Sequence, residues 1–276
     1  MNDLSKLKGI DKLLAVMARL RDTDKGCPWD VAQDFATITK YTLEEVYEVV
    51  EAIERQDIPS LKEELGDLLF QIVFYAQVGR DKSLFTFEEV AQATADKMIE
   101  RHPHVFADTK LEDHQALMKM WEEDKAKARE EKAKQEGRPP SLLDDISQAL
   151  PGLTRAVKLQ SRAARAGFEW KDIEDIFAKL DEELGELKEA IADAKKAGEP
   201  LELEHVDHLT EELGDVLFVI ANVGRKLRID PETALRVTNR KFEKRFGEIE
   251  TRLTAKGRKV NETPLDELIQ LWNEAK

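Results

Sequence analysis

The sequence predicts an all-α protein made of two tandem helical bundles of four-helix type, arising from an internal duplication. Three observations carry that expectation. Of the 276 residues, 36% are charged and 41% apolar, a charge-rich balance that suits helices with one wet face. Apolar residues recur at i, i+3/i+4 spacing through 7–20, 43–53 and 173–191, and few segments alternate as strands do. The chain also repeats itself: Glu63-Glu64-Leu65-Gly66-Asp67-Leu68-Leu69-Phe70 returns as Glu211-Glu212-Leu213-Gly214-Asp215-Val216-Leu217-Phe218, with one conservative change.

Taken in chain order, residues 1–21 mix charge with Leu and Ile at helical spacing and carry no apolar leader block, so an amphipathic first helix is expected. Cys27-Pro28-Trp29-Asp30 reads as a tight turn anchored by an aromatic ring. In 43–53, Leu43, Val46, Val50 and Ile53 form one stripe that faces away from the acids of Glu44-Glu45-x-x-Glu48. On a helix turning about 100° per residue, Glu45 and Glu48 point within roughly 60° of each other, as do Glu64 and Asp67 on the next helix. No charged residue follows Asp67 until Arg80, so that helix is expected to be buried on nearly all sides. Lys97 and Arg101 place two cations one turn apart; His102 and His104, flanking Pro103, are expected to pack locally; Trp121 closes the half.

The stretch 122–137 is nearly all charged or Ala and runs into Arg138-Pro139-Pro140, which reads as a solvated helical extension. The expected organisation is therefore a first domain over 1–121, a linker over 122–140 and a second domain over 141–276. The second half repeats the first half's features in the same order. Trp170 precedes Glu182-Glu183-x-x-Glu186, then come Glu212-x-x-Asp215, an uncharged run to Arg225, the cations Arg240, Lys241, Lys244 and Arg245, and finally Trp272. Trp272 either stacks on a nucleobase or seals the bundle. Gly66 and Gly214 each cost about 1 kcal/mol against Ala inside a helix, which a close helix–helix approach or a local kink would explain.

Charge and composition narrow the chemistry. The 57 acidic and 43 basic residues leave a formal charge of −14, which repels a phosphate backbone and argues against a nucleic-acid partner. The lone Cys27 cannot form an internal disulfide, and no apolar stretch is long enough to cross a bilayer, so a cytoplasmic address and no membrane partner are expected. A carboxylate beside a long uncharged run is costly to bury unless a cation neutralises it, and here the arrangement occurs twice. All-oxygen donors suit Mg²⁺, with Mn²⁺ as the alternative, and the absence of His from these motifs argues against zinc or a di-iron centre. Mg²⁺ typically works with few carboxylates plus substrate phosphates, so the substrate is expected to be a phosphate ester or anhydride. Neither a P-loop, a dinucleotide glycine fingerprint nor a nucleophile elbow is present.

The paired EExxE and ExxD motifs, with Gly26-Cys27-Pro28-Trp29-Asp30-x-x-Gln33, Arg101-His102-Pro103-His104-Val105-Phe106 and Lys241-Phe242-Glu243-Lys244-Arg245-Phe246, resemble the MazG nucleoside triphosphate pyrophosphohydrolases of two-domain bacterial type. One departure is Asp34, where that pattern has Thr. The resemblance covers essentially the whole chain. It implies an all-α homodimer that hydrolyses nucleoside triphosphates, broadly and in the upkeep of the nucleotide pool, to the monophosphate and pyrophosphate with Mg²⁺. It further implies that the second copy carries the principal activity, with Glu183, Glu186, Glu212 and Asp215 holding metal. Lys179, Glu182, Glu183, Lys241, Phe242, Glu243, Lys244, Arg245 and Trp272 would line the nucleotide site, Lys241 and Arg245 offsetting charge during catalysis. Glu45, Glu48, Glu64 and Asp67 would be the metal-holding acids of the first copy. Two rival readings are an all-α pyrophosphatase restricted to one nucleotide and a non-catalytic acidic adaptor for a basic partner.

Overall fold

A computed structural model describes residues 4–107, 113–197 and 203–276. Among them are twelve α-helices, one short 3-10 turn and no strand, in two compact units, Met1–Trp121 and Glu122–Lys276. No helix among the described residues is long and apolar enough to cross a membrane.

The first unit contains α1 (Gly9–Leu20), α2 (Pro28–Ala32), α3 (Thr39–Arg55), α4 (Ile58–Asp81), α5 (Phe87–Arg101) and α6 (Pro103–Phe106). Helix starts fall where side chains satisfy the free N–H groups. Asp57 accepts from the backbone N–H of Ser60 at 3.2 Å ahead of α4, and Thr86 with Glu89 forms a reciprocal capping box on α5. α4 packs against α1, α3 and α5, and its Val73, Phe74 and Val78 join Met17 and Ile38 in the core.

Arg21 ties this unit together. Its Nε donates to Asp81 at 2.8 Å, its Nη1 donates to the carbonyls of Asp30 and Gln33 at 2.5 and 3.1 Å, and its guanidinium lies 5.2 Å from the Phe74 ring centroid. One buried cation thus fastens the end of α1 to α2 and α4. The turn between α1 and α2 needs Gly26, because a Cβ there would stand 2.3 Å from the Leu20 carbonyl oxygen. Asp34 closes the following turn by accepting from the backbone N–H groups of Ala36 and Thr37, both at 2.9 Å. A carboxylate makes a satisfactory turn at this position.

The second unit has α8 (Gly152–Arg165), α9 (Ile173–Ala197), α10 (Leu203–Leu227), α11 (Pro231–Ala255) and α12 (Leu265–Glu274), with the 3-10 turn Val260–Glu262; α7 (His114–Gln135) spans the boundary between units. α10 packs against α8, α9 and α11, in the same chain order as α4 against α1, α3 and α5. The stretch expected to be a solvated helical extension is helical to Gln135 and exposed over most of its length, with two points of burial. Arg129 and Ala133 are buried, Glu122 pairs with Arg165, and Lys132 pairs with Asp145 at 2.9 Å.

The packing departs from the sequence reading in three places. Leu43, Val46 and Ile53 are exposed; α3 turns toward α4 the side bearing Thr42, whose hydroxyl donates to the Tyr75 hydroxyl at 2.9 Å. Neither long uncharged helix is buried on all sides, since Leu65, Leu69 and Ile72 of α4 and Leu213, Leu217 and Ile220 of α10 are exposed. Three neighbours cover each central helix and leave one face open. Gly66 and Gly214 do not mark a close approach within the chain, because a Cβ at either would meet nothing within 4 Å.

Replacing Arg21 with Ala is expected to destabilise the first unit by about 3 kcal/mol, since one buried cation and its bonds to Asp81 and to the Asp30 and Gln33 carbonyls are lost together. Arg19→Ala, at a more exposed pair, should change stability by less than about 0.5 kcal/mol. Urea unfolding followed by helical ellipticity measures both.

Candidate active site

α9 carries Glu182, Glu183 and Glu186, and α10 carries Glu212 and Asp215. These two helices pack together, and one oxygen from each of Glu183, Glu186 and Glu212 lies within 4.8 Å of the others. Glu183 is only 6% exposed. Lys179, one turn earlier, reaches Glu182 at 2.7 Å and Glu183 at 2.8 Å, and those two bonds raise the lysine's affinity for its proton. The Glu186 carboxyl is pushed above the usual carboxylate range, first by its hydrogen bond with Glu183, then by burial and by the charges of Glu183 and Glu212.

Glu212 Oε1 lies 3.5 Å from His208 Nδ1, while its Oε2 is buried with no protein hydrogen-bond partner. An orphaned carboxylate oxygen, mutual repulsion and an all-oxygen donor set together fit a hard divalent cation. Asp215 stands outside this trio of oxygens. It lines, with Glu183 and Lys179, a cleft of about 570 Å³ in the second unit.

The cleft walls are largely apolar, with Leu159 and Ala163 from α8, Phe168 and Trp170 from the segment before α9, and Phe218 and Val219 from α10. Two cations of α10 hold the Trp170 segment in place. Arg225 donates to Glu169 at 2.9 Å, and Lys226 donates to the carbonyls of Trp170 and Lys171, each at 2.9 Å. The Glu169 carboxyl is correspondingly held below its ordinary range, chiefly by the Arg225 bond. Sequence reasoning assigned no role to Gln160, Phe168, Asn222 or Arg225. The available signal was the end of the uncharged run, where Arg225 and Lys226 are the first charges after Asp215.

The cationic segment of α11 lies elsewhere among the described contacts. Lys241, Phe242, Glu243 and Lys244 are exposed. Phe242 meets Trp272 at 5.1 Å between ring centroids, and the Arg245 guanidinium lies 5.5 Å from the Trp272 ring. Trp272 also packs against the Ile249, Leu253 and Leu271 cluster, so it joins α12 to α11. None of these residues lines the cleft.

In the first unit, oxygens of Glu45, Glu48 and Glu64 likewise lie within 4.8 Å of one another. The Glu45 carboxyl is raised by burial first, then by Asp67, Glu48 and Glu64; Glu64 is raised by burial, then by Glu48 and Asp67. Asp67 is thus a near neighbour of both but not one of the converging trio. The position matching Lys179 holds Tyr41, which meets Trp29 edge-on at 5.7 Å and lies under the Lys40 ammonium at 4.7 Å.

Comparison with known proteins places these motifs. The MazG nucleotide pyrophosphohydrolase domain matches twice, over residues 33–106 and 171–248. The chain is 42% identical to a nucleoside triphosphate pyrophosphohydrolase of Escherichia coli (strain K12), over 97% of each protein. It is 40% identical to a nucleoside triphosphate pyrophosphohydrolase/pyrophosphatase MazG of Thermotoga maritima, over 96% of this chain and 95% of that protein. A nucleoside triphosphate pyrophosphohydrolase of Mycobacterium tuberculosis is 37% identical over 56% of this chain and 44% of its own length.

The raised Glu186 carboxyl has a consequence for the metal-free protein. The folded state binds this proton more tightly than the unfolded chain, so the group's stabilising contribution is complete below its ordinary value of 4.5 and is lost as pH rises through the folded value. In EDTA at neutral pH, Glu186→Gln is therefore expected to raise Tm, with the gain vanishing in acid. Millimolar Mg²⁺ should raise the wild-type Tm and leave the variant's nearly unchanged; thermal melts across pH, with and without the ion, read both effects.

Proposed function

The chain belongs to the MazG nucleotide pyrophosphohydrolase family, and from that premise we propose that it is a nucleoside triphosphate pyrophosphohydrolase, cleaving the anhydride between the α- and β-phosphates of NTPs and dNTPs. The observation that carries the reading is the carboxylate trio of Glu183, Glu186 and Glu212, converging beside a cleft that Glu183 and Asp215 share. The second unit is the principal site in this proposal. Substrate range is broad, and the address is the cytoplasm.

Glu183, Glu186, Glu212 and Asp215 would hold Mg²⁺, or Mn²⁺ in its place, with Glu45, Glu48, Glu64 and Asp67 as the corresponding acids of the first unit. When bound, such an ion supplies Lewis-acid polarisation of phosphoryl oxygens. Lys179 keeps Glu183 and Glu182 in place, and a carboxylate oxygen of the cluster takes the proton of the attacking water. Lys241 and Arg245 are assigned to offset charge on the triphosphate, and Phe242, Glu243, Lys244 and Trp272 to contact it, a role that requires the phosphates to extend beyond the cleft, which none of these residues lines. The exposed faces Leu65/Leu69/Ile72 and Leu213/Leu217/Ile220 are where we place the contact with a second copy in a homodimer.

Incubation with each common NTP and dNTP, and chromatography of the products, should show monophosphate and pyrophosphate with Mg²⁺ and neither in EDTA. Diphosphate plus phosphate would reject the proposed bond, and the absence of turnover would favour the adaptor reading. Glu183→Gln and Asp215→Asn should each lower kcat by more than the roughly 10–100-fold associated with outer-shell partners of a metal, without loss of helical content. Leu217→Glu should convert a dimer into a monomer in light scattering, and an unchanged mass would remove that face from the interface.

A further inference from the structure

The roles assigned above leave one wall of the cleft unused. Gln160, on α8, is 8% exposed, and its Nε2 donates to the Phe218 carbonyl at 2.7 Å. That bond sets which end of the amide is the donor, and the remaining Oε1 is buried with no protein partner. Buried polar atoms are nearly always paired, and an orphaned acceptor in a ligand-sized cleft is explained when the ligand brings the donor.

Asn222 complements it from α10. Its Oδ1 accepts from Arg225 Nε at 3.0 Å, which leaves the two Nδ2 hydrogens as donors. Gln160 and Asn222, which both line this cleft with Phe168, Trp170 and Phe218, therefore carry one spare acceptor and one spare donor. A volume of about 570 Å³ lies within the range of small-molecule sites, and Glu183 and Asp215 line the same space.

We propose that this wall reads the nucleobase. The ring lies against the aromatic and aliphatic side chains, Gln160 Oε1 accepts an N–H from the base's Watson–Crick edge, and Asn222 Nδ2 donates to an adjacent acceptor. For adenine the N–H is the 6-amino group. Every common base carries an N–H next to an acceptor on that edge, so the pair grips the base while tolerating several of them. Gln160 is a base-binding residue in this assignment and takes no part in bond cleavage. The inference rests on the triphosphate reading above.

The test compares ATP with purine riboside triphosphate, which has the same ring without the 6-amino group, on the full-length protein with Mg²⁺. Wild type should lose about three- to tenfold in kcat/KM on the analogue, mainly through KM because the contact is uniform between ground and transition states. Gln160→Met should treat the two nucleotides nearly alike. Equal kcat/KM for both nucleotides on wild type would overturn the assignment while leaving the reaction intact, and so would full discrimination retained by Gln160→Met. Failure to release monophosphate and pyrophosphate from either nucleotide would instead overturn the reaction itself. The wild-type comparison needs no substitution, so it decides the question even if Gln160→Met, which also strips the Phe218 carbonyl of its donor, melts early.

Discussion

Helix packing that brings like charges together is the constraint around which this protein is built. α9 and α10 pack through the side that carries their acids, so Glu183, Glu186 and Glu212 converge within 4.8 Å, and α3 and α4 do the same with Glu45, Glu48 and Glu64. Carboxylates so placed repel one another and lose hydration, and the raised carboxyls of Glu186, Glu45 and Glu64 record that cost. Surrounding contacts must offset it. In the second unit Lys179 supplies a cation against Glu183, and the remaining negative charge is what the divalent ion we propose would neutralise.

Turning the acids inward sends apolar residues outward. Leu43, Val46 and Ile53 on α3, and Leu213, Leu217 and Ile220 on α10, face away from the core of their own unit. A polypeptide that leaves such faces in water gains from covering them, and the repeat duplicates the same open face on α4 as Leu65, Leu69 and Ile72. Gly66 and Gly214 sit on these helices with nothing within 4 Å of their Cβ positions, which keeps the surface low beside the acids. The association we propose and the chemistry we propose thus share one physical origin.

The two halves have diverged where charge meets aromatic packing. Tyr41 occupies the place of Lys179, so the first cluster has a ring beside Trp29 where the second has an ion pair. The Lys-x-x-x-Arg pair also differs in setting. α5 ends at Arg101 before Pro103, and the Arg101 carbonyl accepts from Trp121 Nε1 at 2.7 Å. α11 runs on to Ala255, and Arg245 lies within the helix with its guanidinium over Trp272. Identical spacing places cations at a helix end in one unit and in a helix interior in the other.

The all-α class, the repeat and the four acid pairs were all legible in the residues, because 3.6-residue periodicity and motif spacing are local properties of a chain. Asp67 and Asp215 were recognised as companions of the other acids, yet the oxygens that converge come from Glu45/Glu48/Glu64 and Glu183/Glu186/Glu212. Periodicity states which residues share a face and is silent on which face meets a neighbour. That choice rests on long-range packing, and it put the stripe of Leu43, Val46 and Ile53 on the outside. It also made a buried hub of Arg21 and buried Arg129 and Ala133 on the otherwise exposed charged helix α7. The cleft belongs to the same category: Gln160 and Trp170 lie far along the chain from Phe218 and Arg225, and only the docking of α8 and the Trp170 segment on α10 brings them to one wall.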